Sequence, residues 1–204
     1  MGEVTLIDFI RHGEPEGGRL YRGSGVDDPL SEKGWAQMWA AVGEEAPWTA
    51  VLSSPLVRCR AFAEALAERH GLPLELEPRF REVGFGAWEG RRPEEIERDT
   101  PEAYAAFYAD PVHARPAGAE PLEAFGVRVA EALEEALARH AGGHPLVVAH
   151  AGVIRAALGF VLGAAPTAWY RVRVDNAGVT RFRRDRLGIR LEFHNRRRAD
   201  SLVP

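Results

Sequence analysis

The feature that most limits the fold is the alternation of short apolar runs with longer amphipathic stretches along the chain. Residues 4–10 form a short run rich in apolar and β-branched side chains, which is typical of a buried strand. Residues 122–140 instead carry apolar side chains every four positions, which is typical of an amphipathic helix. Strands that alternate with helices predict a mostly parallel sheet with helices on both faces. We therefore expect an α/β protein, a three-layer α/β/α sandwich.

The remaining elements follow from the same patterns and from turn residues. A helix from 31 to 42 and one that ends at His70 open with serine caps, and in the second we expect Ser54 as cap and Pro55 in the first helical turn. Further helices are expected at 94–99, 101–108 and 152–162. Further strands are expected at 50–53, 72–76, 146–149, 170–174, 179–183 and 187–193.

Length favours a single domain over residues 1–204, since 204 residues can bury a full core. The hydrophobic fraction of 46% and the charged fraction of 27% are those of a soluble globular protein. A formal net charge of −4 provides no basic field for nucleic acid, so we expect no nucleic-acid partner. The arginine run 196–198 is interpreted as a solvated tail.

The cysteine content and the first residues bear on location. Cys59 is the only cysteine, which excludes an intramolecular disulfide and a cysteine-rich zinc site. Asp8 interrupts the first apolar run, so the beginning of the chain is neither a secretory signal nor a membrane span. We therefore expect a cytoplasmic protein that does not bind membranes.

Three polar motifs follow strands or open a helix beside one. His12 comes directly after the first strand, Arg58 lies in the first turn of the helix after the second, and His150 follows the strand 146–149. Ligands of open α/β sheets bind at the carboxyl ends of the parallel strands. We expect these side chains to meet at that edge.

The residue types suit transfer of a phosphoryl group. Arg11 and Arg58 can each place a guanidinium fork on the phosphate oxygens. His12 must attack phosphorus as a neutral imidazole, and the nearby arginines disfavour its charged form. His150 can donate a hydrogen bond to the transferred group. Glu82 is the candidate general acid that protonates the leaving oxygen, and we expect it to carry that proton only when substrate is bound.

These motifs resemble those of the histidine phosphatase superfamily, in the branch shared with phosphoglycerate mutase and α-ribazole phosphatase. The similar segments are Arg-His-Gly-Glu at 11–14, Ser-Ser-Pro-Leu-Val-Arg at 53–58, Glu82 with the following Phe-Gly-Ala-Trp-Glu-Gly at 85–90, and Val-Ala-His-Ala-Gly-Val-Ile-Arg at 148–155. The resemblance implies a phosphoglycerate mutase-like fold and a phosphohistidine at His12. It also implies a phosphate pocket of Arg11, Arg58, His12 and His150, proton donation by Glu82, and no metal or other cofactor.

The chain departs from the family pattern near the first motif. The family often has an asparagine a few residues after the position of Glu14, where this chain has Gly17 and Gly18. Pro15 stands where a hydroxyl residue is common. Arg19, Arg22 or a backbone amide could replace the missing polar contact. We also place Arg22 and Trp88 as candidates for the substrate mouth, with surface exposure and core packing as their respective alternatives.

We predict a phosphomonoesterase that hydrolyses a small phosphorylated metabolite. One alternative is a cofactor-dependent phosphoglycerate mutase. Such an enzyme resembles longer chains with an added lid, and the segment 90–121 is too short for that lid. A non-catalytic phosphate-binding module is a further alternative, although binding alone requires neither a nucleophile nor an acid. An edge strand near the C-terminus could be capped or could pair with a second copy, so a homo-oligomer stays open.

Overall fold

A six-stranded sheet forms the centre of the protein, and the computed structural model describes residues 4–197. The strand order is β3-β2-β4-β1-β5-β6. The first four strands in that order are mutually parallel, whereas β5 runs antiparallel to β1 and β6 antiparallel to β5. The strands are β1 Thr5–Arg11, β2 Ala50–Ser53, β3 Leu74–Leu76, β4 Pro145–Ala149, β5 Val179–Asp185 and β6 Gly188–Arg196.

Helices cover both faces of this sheet, so the predicted three-layer α/β/α sandwich is confirmed. Buried side chains of α1 and α2 share one core cluster, and those of α5 and α6 share the other. The helices are α1 Glu32–Val42, α2 Val57–His70, α3 Pro93–Asp99, α4 Pro101–Ala109, α5 Leu122–Arg139 and α6 Ala151–Leu162. In the described part of the chain no helix is long and apolar enough to cross a bilayer.

The two cores arise from the alternation of side chains along the buried strands. In β4, Leu146 and Val148 pack with α1 and α2, whereas Val147 and Ala149 pack with α5 and α6. Successive side chains of a strand point to opposite faces, so a strand buried on both faces is apolar at every position. This explains why the run 145–149 contains no polar residue.

The strand predicted at 170–174 is wrong. The chain forms a 3-10 helix at Pro166–Arg171 and then continues without regular structure to the turn before β5. Trp169 anchors this segment, because its indole fills the space left by Gly126 of α5 and Gly159 of α6. Packing of one large ring between two helices therefore prevails over the β propensity of the residues that follow.

The predicted cap of α2 is also wrong. The helix begins at Val57, and the Ser54 hydroxyl is occupied by the His150 ring and by the backbone N–H of Leu56. Asp27 supplies a cap from the loop after β1, since its Oδ1 accepts the Val57 N–H at 2.7 Å. Ser54 therefore contacts the site residue His150, and the carboxylate of Asp27, distant in the sequence, caps α2.

Most other predicted bounds differ from the structure by one or two residues, which is the usual uncertainty at element ends. The C-terminal arginine run is divided: Arg196 ends β6, and Arg198 lies outside the described residues. Arg196 is therefore part of the sheet rather than of a solvated tail.

Candidate active site

The candidate site is a cavity of about 500 Å³ at the carboxyl ends of β1, β2 and β4. Arg11 ends β1 and His12 follows it, while Arg58 lies in the first turn of α2. These three side chains and that of Glu82 line the cavity. The structure thus brings four of the predicted site residues together at the expected edge of the sheet.

His12 is held in one orientation by the backbone. Its Nδ1 lies 2.7 Å from the carbonyl oxygen of Gly13, and this atom must donate because a carbonyl only accepts. The ring is 6% exposed. Burial lowers the pKa of His12 well below its ordinary value, and the charges of Arg58 and Arg11 lower it further. The neutral imidazole therefore has an unprotonated Nε2, which is the atom that can act as a nucleophile.

Arg58 is buried and Arg11 is partly buried, and both are cations with unused donors. Arg11 donates to the carbonyl of Val174 at 2.7 Å, and Arg58 donates to the carbonyls of Val26 and Gly23 at 2.8 and 2.9 Å. The Nε atoms of both arginines are buried and have no hydrogen-bond partner. Buried polar groups are normally paired, so two orphaned donors beside one cavity indicate a site for an anion.

No carboxylate neutralises these two cations closely. Among residues 4–197, Arg11 forms no ion pair, and the nearest carboxylate oxygen to Arg58 is that of the half-exposed Asp27 at 3.9 Å. Burial lowers the pKa of Arg11 to about 10, which still leaves it charged at neutral pH. An incoming phosphate would supply the charge that the protein leaves out.

His150 lies directly behind His12 rather than in the cavity wall. The ring centroids are 5.2 Å apart, and His150 is completely buried. Its Nε2 lies 2.7 Å from the Ser54 hydroxyl, while Cys59 Sγ lies 3.6 Å from Nε2 and 3.8 Å from Nδ1. Burial and the charge of Arg58 lower the pKa of His150 well below its ordinary value. His150 is therefore a neutral group whose Nδ1 lacks a strong partner.

Glu82 is bound to the start of α6. Its Oε2 accepts the backbone N–H of Gly152 at 3.2 Å, and its Oε1 accepts that of Val83 at 3.0 Å. A Cβ at position 152 would lie 2.2 Å from Glu82 Oε1, so only glycine lets the carboxylate approach the helix this closely. This glycine lets Glu82 be held at the start of α6, where it lines the cavity.

Arg22 lines the cavity but is not an exposed mouth residue. It is only 7% exposed, and its Nε donates to Asp28 Oδ2 at 2.8 Å. Its two terminal nitrogens donate to the backbone carbonyls of Gly18 and Glu16. Arg22 therefore closes the loop after β1 on itself, and each of its three nitrogens is engaged with that loop.

Trp88 is wrongly predicted as a mouth residue. It is 6% exposed, belongs to the core, and packs its ring against Tyr21 and Phe107 at centroid distances of 5.2 and 5.0 Å. The 3-10 turn Gly86–Trp88 rotates this ring inward. A local sequence pattern does not reveal which way a side chain leaves such a turn.

Several cavity residues were missed by the sequence reasoning. Asn176, from the turn before β5, lines the cavity and donates to the His12 carbonyl at 3.0 Å. An asparagine thus reaches the site from the far end of the chain, whereas Gly18 lines the cavity with its backbone. The outer wall is aromatic, with Tyr21 and Tyr108 hydroxyls 2.7 Å apart. The Asp-Asn-Ala-Gly turn could have suggested Asn176, but nothing local points to the tyrosines.

No group of three histidine, cysteine, aspartate or glutamate side chains within residues 4–197 could hold a metal ion. The donors that face the cavity are mainly guanidinium groups, which bind anions and cannot ligate a cation.

Known proteins share this sequence pattern and this architecture. The model of the histidine phosphatase superfamily, branch 1, matches residues 7–197. A bifunctional protein of Mycobacterium tuberculosis is 31% identical over 183 residues, which are 88% of this chain and 50% of that protein. The chain therefore spans about half the length of the first curated relatives that it matches.

Two further relatives are matched over most of their length. The adenosylcobalamin/alpha-ribazole phosphatase of Salmonella typhimurium is 31% identical over 171 residues, covering 82% of this chain and 84% of that one. The solved structure of a mycobacterial glucosyl-3-phosphoglycerate phosphatase superposes with a TM-score of 0.80 at 29% identity, covering 94% of this chain and 99% of the other. Together with the family match, these similarities show that the chain belongs to branch 1 of the histidine phosphatase superfamily.

Proposed function

We propose that the protein hydrolyses a small phosphate monoester through a phosphohistidine on His12. The observation that carries this proposal is the placement of a neutral histidine beside Arg11 and Arg58, whose buried Nε atoms have no partner. Such a site binds a phosphate and presents a nucleophile to it. The related proteins named as phosphatases support the same reaction class.

In the first step, His12 Nε2 forms a bond to phosphorus and the bond from phosphorus to the alcohol oxygen breaks. Arg11 and Arg58 bind the non-bridging oxygens and stabilise the negative charge of the transition state. His12 carries its remaining proton on Nδ1, and the Gly13 carbonyl stabilises the positive charge that the ring acquires. The predicted hydrogen bond from His150 to the phosphoryl group has no part in this arrangement, because His150 is completely buried against His12 and does not line the cavity.

Glu82 supplies the proton that the departing alkoxide requires. It lines the same cavity, and the Gly152 N–H holds its carboxylate at the start of α6. In the second step, water attacks the phosphohistidine, gives its proton to the Glu82 carboxylate, and the bond from phosphorus to Nε2 breaks. Orthophosphate leaves and both residues return to their initial protonation states.

Hydrolysis is favoured over mutase chemistry by the open outer part of the cavity. Tyr108 of the outer wall is 46% exposed, and the side chain of Arg19, which also lines the cavity, is 73% exposed. A mutase must keep water away from its phosphohistidine, which calls for a closed site. Among the described residues, Pro93 of α3 and Tyr108 of α4 line the cavity, and both helices are short.

The test is brief exposure of the protein to a phosphate monoester labelled with ³²P, followed by acid and alkaline treatment. The proposal predicts label that is stable in alkali and lost in acid, stoichiometric release of orthophosphate, and no label in His12→Ala. Interconversion of phosphoglycerates much faster than phosphate release would favour the mutase, and phosphate binding without label or turnover would favour the binding module.

The proton-donor role of Glu82 is tested separately with two leaving groups. Glu82→Gln should lose far more activity on an alkyl phosphate than on p-nitrophenyl phosphate, because nitrophenolate leaves without a proton. Equal losses on both would contradict this role.

Four expectations from the sequence stay predictions: the cytoplasmic location, the single domain over 1–204, the lack of nucleic-acid partners and the oligomeric state.

A further inference from the structure

Arg155 stands on the wall of the cavity that faces the leaving group. It follows Ala151 by four residues and Gly152 by three in α6, so the three share one helix face. Ala151 lines the cavity, and the Gly152 N–H binds Glu82, the proposed proton donor to the leaving oxygen. Arg155 itself lines the cavity. Its charge therefore lies beside the alcohol part of a bound ester.

The end of the Arg155 side chain is free to bind a ligand. Its Nε donates to the carbonyl of Val172 at 2.9 Å, and neither terminal nitrogen has a hydrogen-bond partner among residues 4–197. No carboxylate of the described chain lies within ion-pair distance of it. Two other arginines of the cavity differ, because Arg22 has all its nitrogens engaged and Arg19 lies 3.8 Å from Glu94.

Arg155 is also held in place before any ligand arrives. Its guanidinium carbon lies over the Tyr170 ring at 5.3 Å from the centroid, and the Val172 carbonyl fixes its Nε. Both partners come from the segment that Trp169 anchors between α5 and α6. A cation that is already ordered loses little conformational entropy on binding, so its contact contributes more to affinity. The two terminal nitrogens form the fork that matches a carboxylate.

The geometry points to a carboxylate subsite at Arg155, and hence to phosphorylated hydroxy acids as the substrate class of the proposed phosphatase. The inference rests on the proposed function. A single guanidinium matches one negative charge, whereas a second phosphate beside the Glu82 carboxylate would lack sufficient positive charge.

The test uses two pairs of esters that differ only at the carboxylate position. One pair is O-phospho-L-serine and phosphoethanolamine, and the other is 3-phosphoglycerate and glycerol 3-phosphate. We expect the wild-type protein to prefer the acid of at least one pair by about 10-fold or more in kcat/KM, the effect of one charge-assisted contact. Arg155→Gln should lose that preference and leave the carboxylate-free ester within about 3-fold, and Arg155→Lys should restore part of it.

Arg60→Gln is the matched control, because Arg60 lies on the exposed face of α2 and pairs there with Glu64. It should leave every rate unchanged. Equal loss on both members of a pair in Arg155→Gln, or no wild-type preference for either acid, would overturn the subsite. Calorimetric binding of the same four esters to His12→Ala gives this comparison without turnover. Failure of the wild-type protein to hydrolyse any ester would instead overturn the proposed function.

Discussion

Strand β1 contains two charged side chains, those of Asp8 and Arg11, whose surroundings differ. Asp8, in the middle of the strand, is fully buried and accepts hydrogen bonds from Arg181 at 2.7 Å and from Trp48 at 2.9 Å. His144 Nε2 lies 2.9 Å from Asp8 Oδ2. Although burial opposes ionisation, the contacts with His144 and Arg181 hold the pKa of Asp8 below its ordinary value. This charge is neutralised within the protein.

Arg11, at the end of the same strand, is not neutralised. It is partly buried, and Arg58 is fully buried beside His12. Within residues 4–197 Arg11 forms no ion pair, the counter-charge of Arg58 is the half-exposed Asp27 at 3.9 Å, and each arginine has one orphaned nitrogen. A buried charge without a partner destabilises the fold, so its presence is explained by a ligand that completes it. The difference separates a charge that stabilises the structure from charges that are kept for binding.

Replacement of Arg58 by methionine tests most strongly whether the charges beside His12 serve to bind an anion. We expect Arg58→Met to lower kcat/KM for phosphate esters by about 10²- to 10³-fold, since one transition-state contact is lost. Its free energy of unfolding should change by no more than about 1 kcal/mol, because removal of an unpaired buried charge offsets the lost bonds to two carbonyls. Steady-state kinetics and urea unfolding measure both. A large loss of stability with normal kinetics would reverse the assignment.

The same substitution at Arg181, which neutralises Asp8, should have the opposite result. Arg181→Met leaves Asp8 without its main counter-charge, so we expect a loss of about 3 to 5 kcal/mol in unfolding free energy. The folded fraction should keep wild-type kcat/KM, because Asp8 lies away from the cavity. A fall in kcat/KM of the folded protein comparable with that of Arg58→Met would show that the two arginines are not independent.

A methyl group at position 152 tests how closely the acid must approach α6. Gly152→Ala would bring a Cβ to 2.2 Å from Glu82 Oε1 and displace the carboxylate. We expect a loss of about 10- to 100-fold in kcat on alkyl phosphates and a smaller one on p-nitrophenyl phosphate. Gly71→Ala is the control for general destabilisation, since Gly71 ends α2 in the left-handed conformation and its replacement strains the backbone without a contact to Glu82. Unchanged turnover in Gly152→Ala would mean that Glu82 does not need this position.

The smallest expected effect is the pH dependence contributed by the two site histidines. Below pH 6.5 the unfolded chain takes up protons at His12 and His150, whereas the folded protein, in which both pKa values are lowered, does not. Stability must therefore fall as the pH falls, by about 1 kcal/mol for each histidine between pH 7.5 and 5.5. His12→Asn and His150→Asn should each remove this share from the urea-unfolding profile.

The control for that profile is His113, whose side chain is 81% exposed. His113→Asn should leave the fall in stability between the two pH values nearly unchanged. If His12→Asn and His150→Asn also leave it unchanged, the two site histidines are not held neutral, and the first step of the proposed mechanism loses its basis.

The sequence predicts the order of the elements and the edge of the sheet where the site forms. Runs such as 145–149 are apolar on both faces, and the residues that follow buried parallel strands must meet at one edge. His12 and Arg58 could therefore be placed at this edge before the structure was known, whereas His150, predicted at the same edge, is buried and does not line the cavity, and Glu82 was predicted from its sequence motif. The convergence of His12 and Arg58 depends on topology, which repeating patterns encode well.

The errors concern the directions of side chains and contacts between distant segments. Trp88 turns inward from a 3-10 helix, and Arg22 is used entirely by its own loop. Ser54 binds His150 instead of capping α2, because Asp27 takes that role. None of these outcomes follows from local spacing, since each is decided by a partner tens of residues away or by packing against a core.

Calorimetric titration with orthovanadate tests most directly whether Arg11, at the end of β1, and Arg58 form an anion site. The account predicts one equivalent bound per chain of the wild-type protein, affinity weakened by at least about 100-fold in Arg58→Met, and unchanged affinity in Arg60→Gln. Equal affinity in Arg58→Met and wild type, or no binding to either, would contradict it.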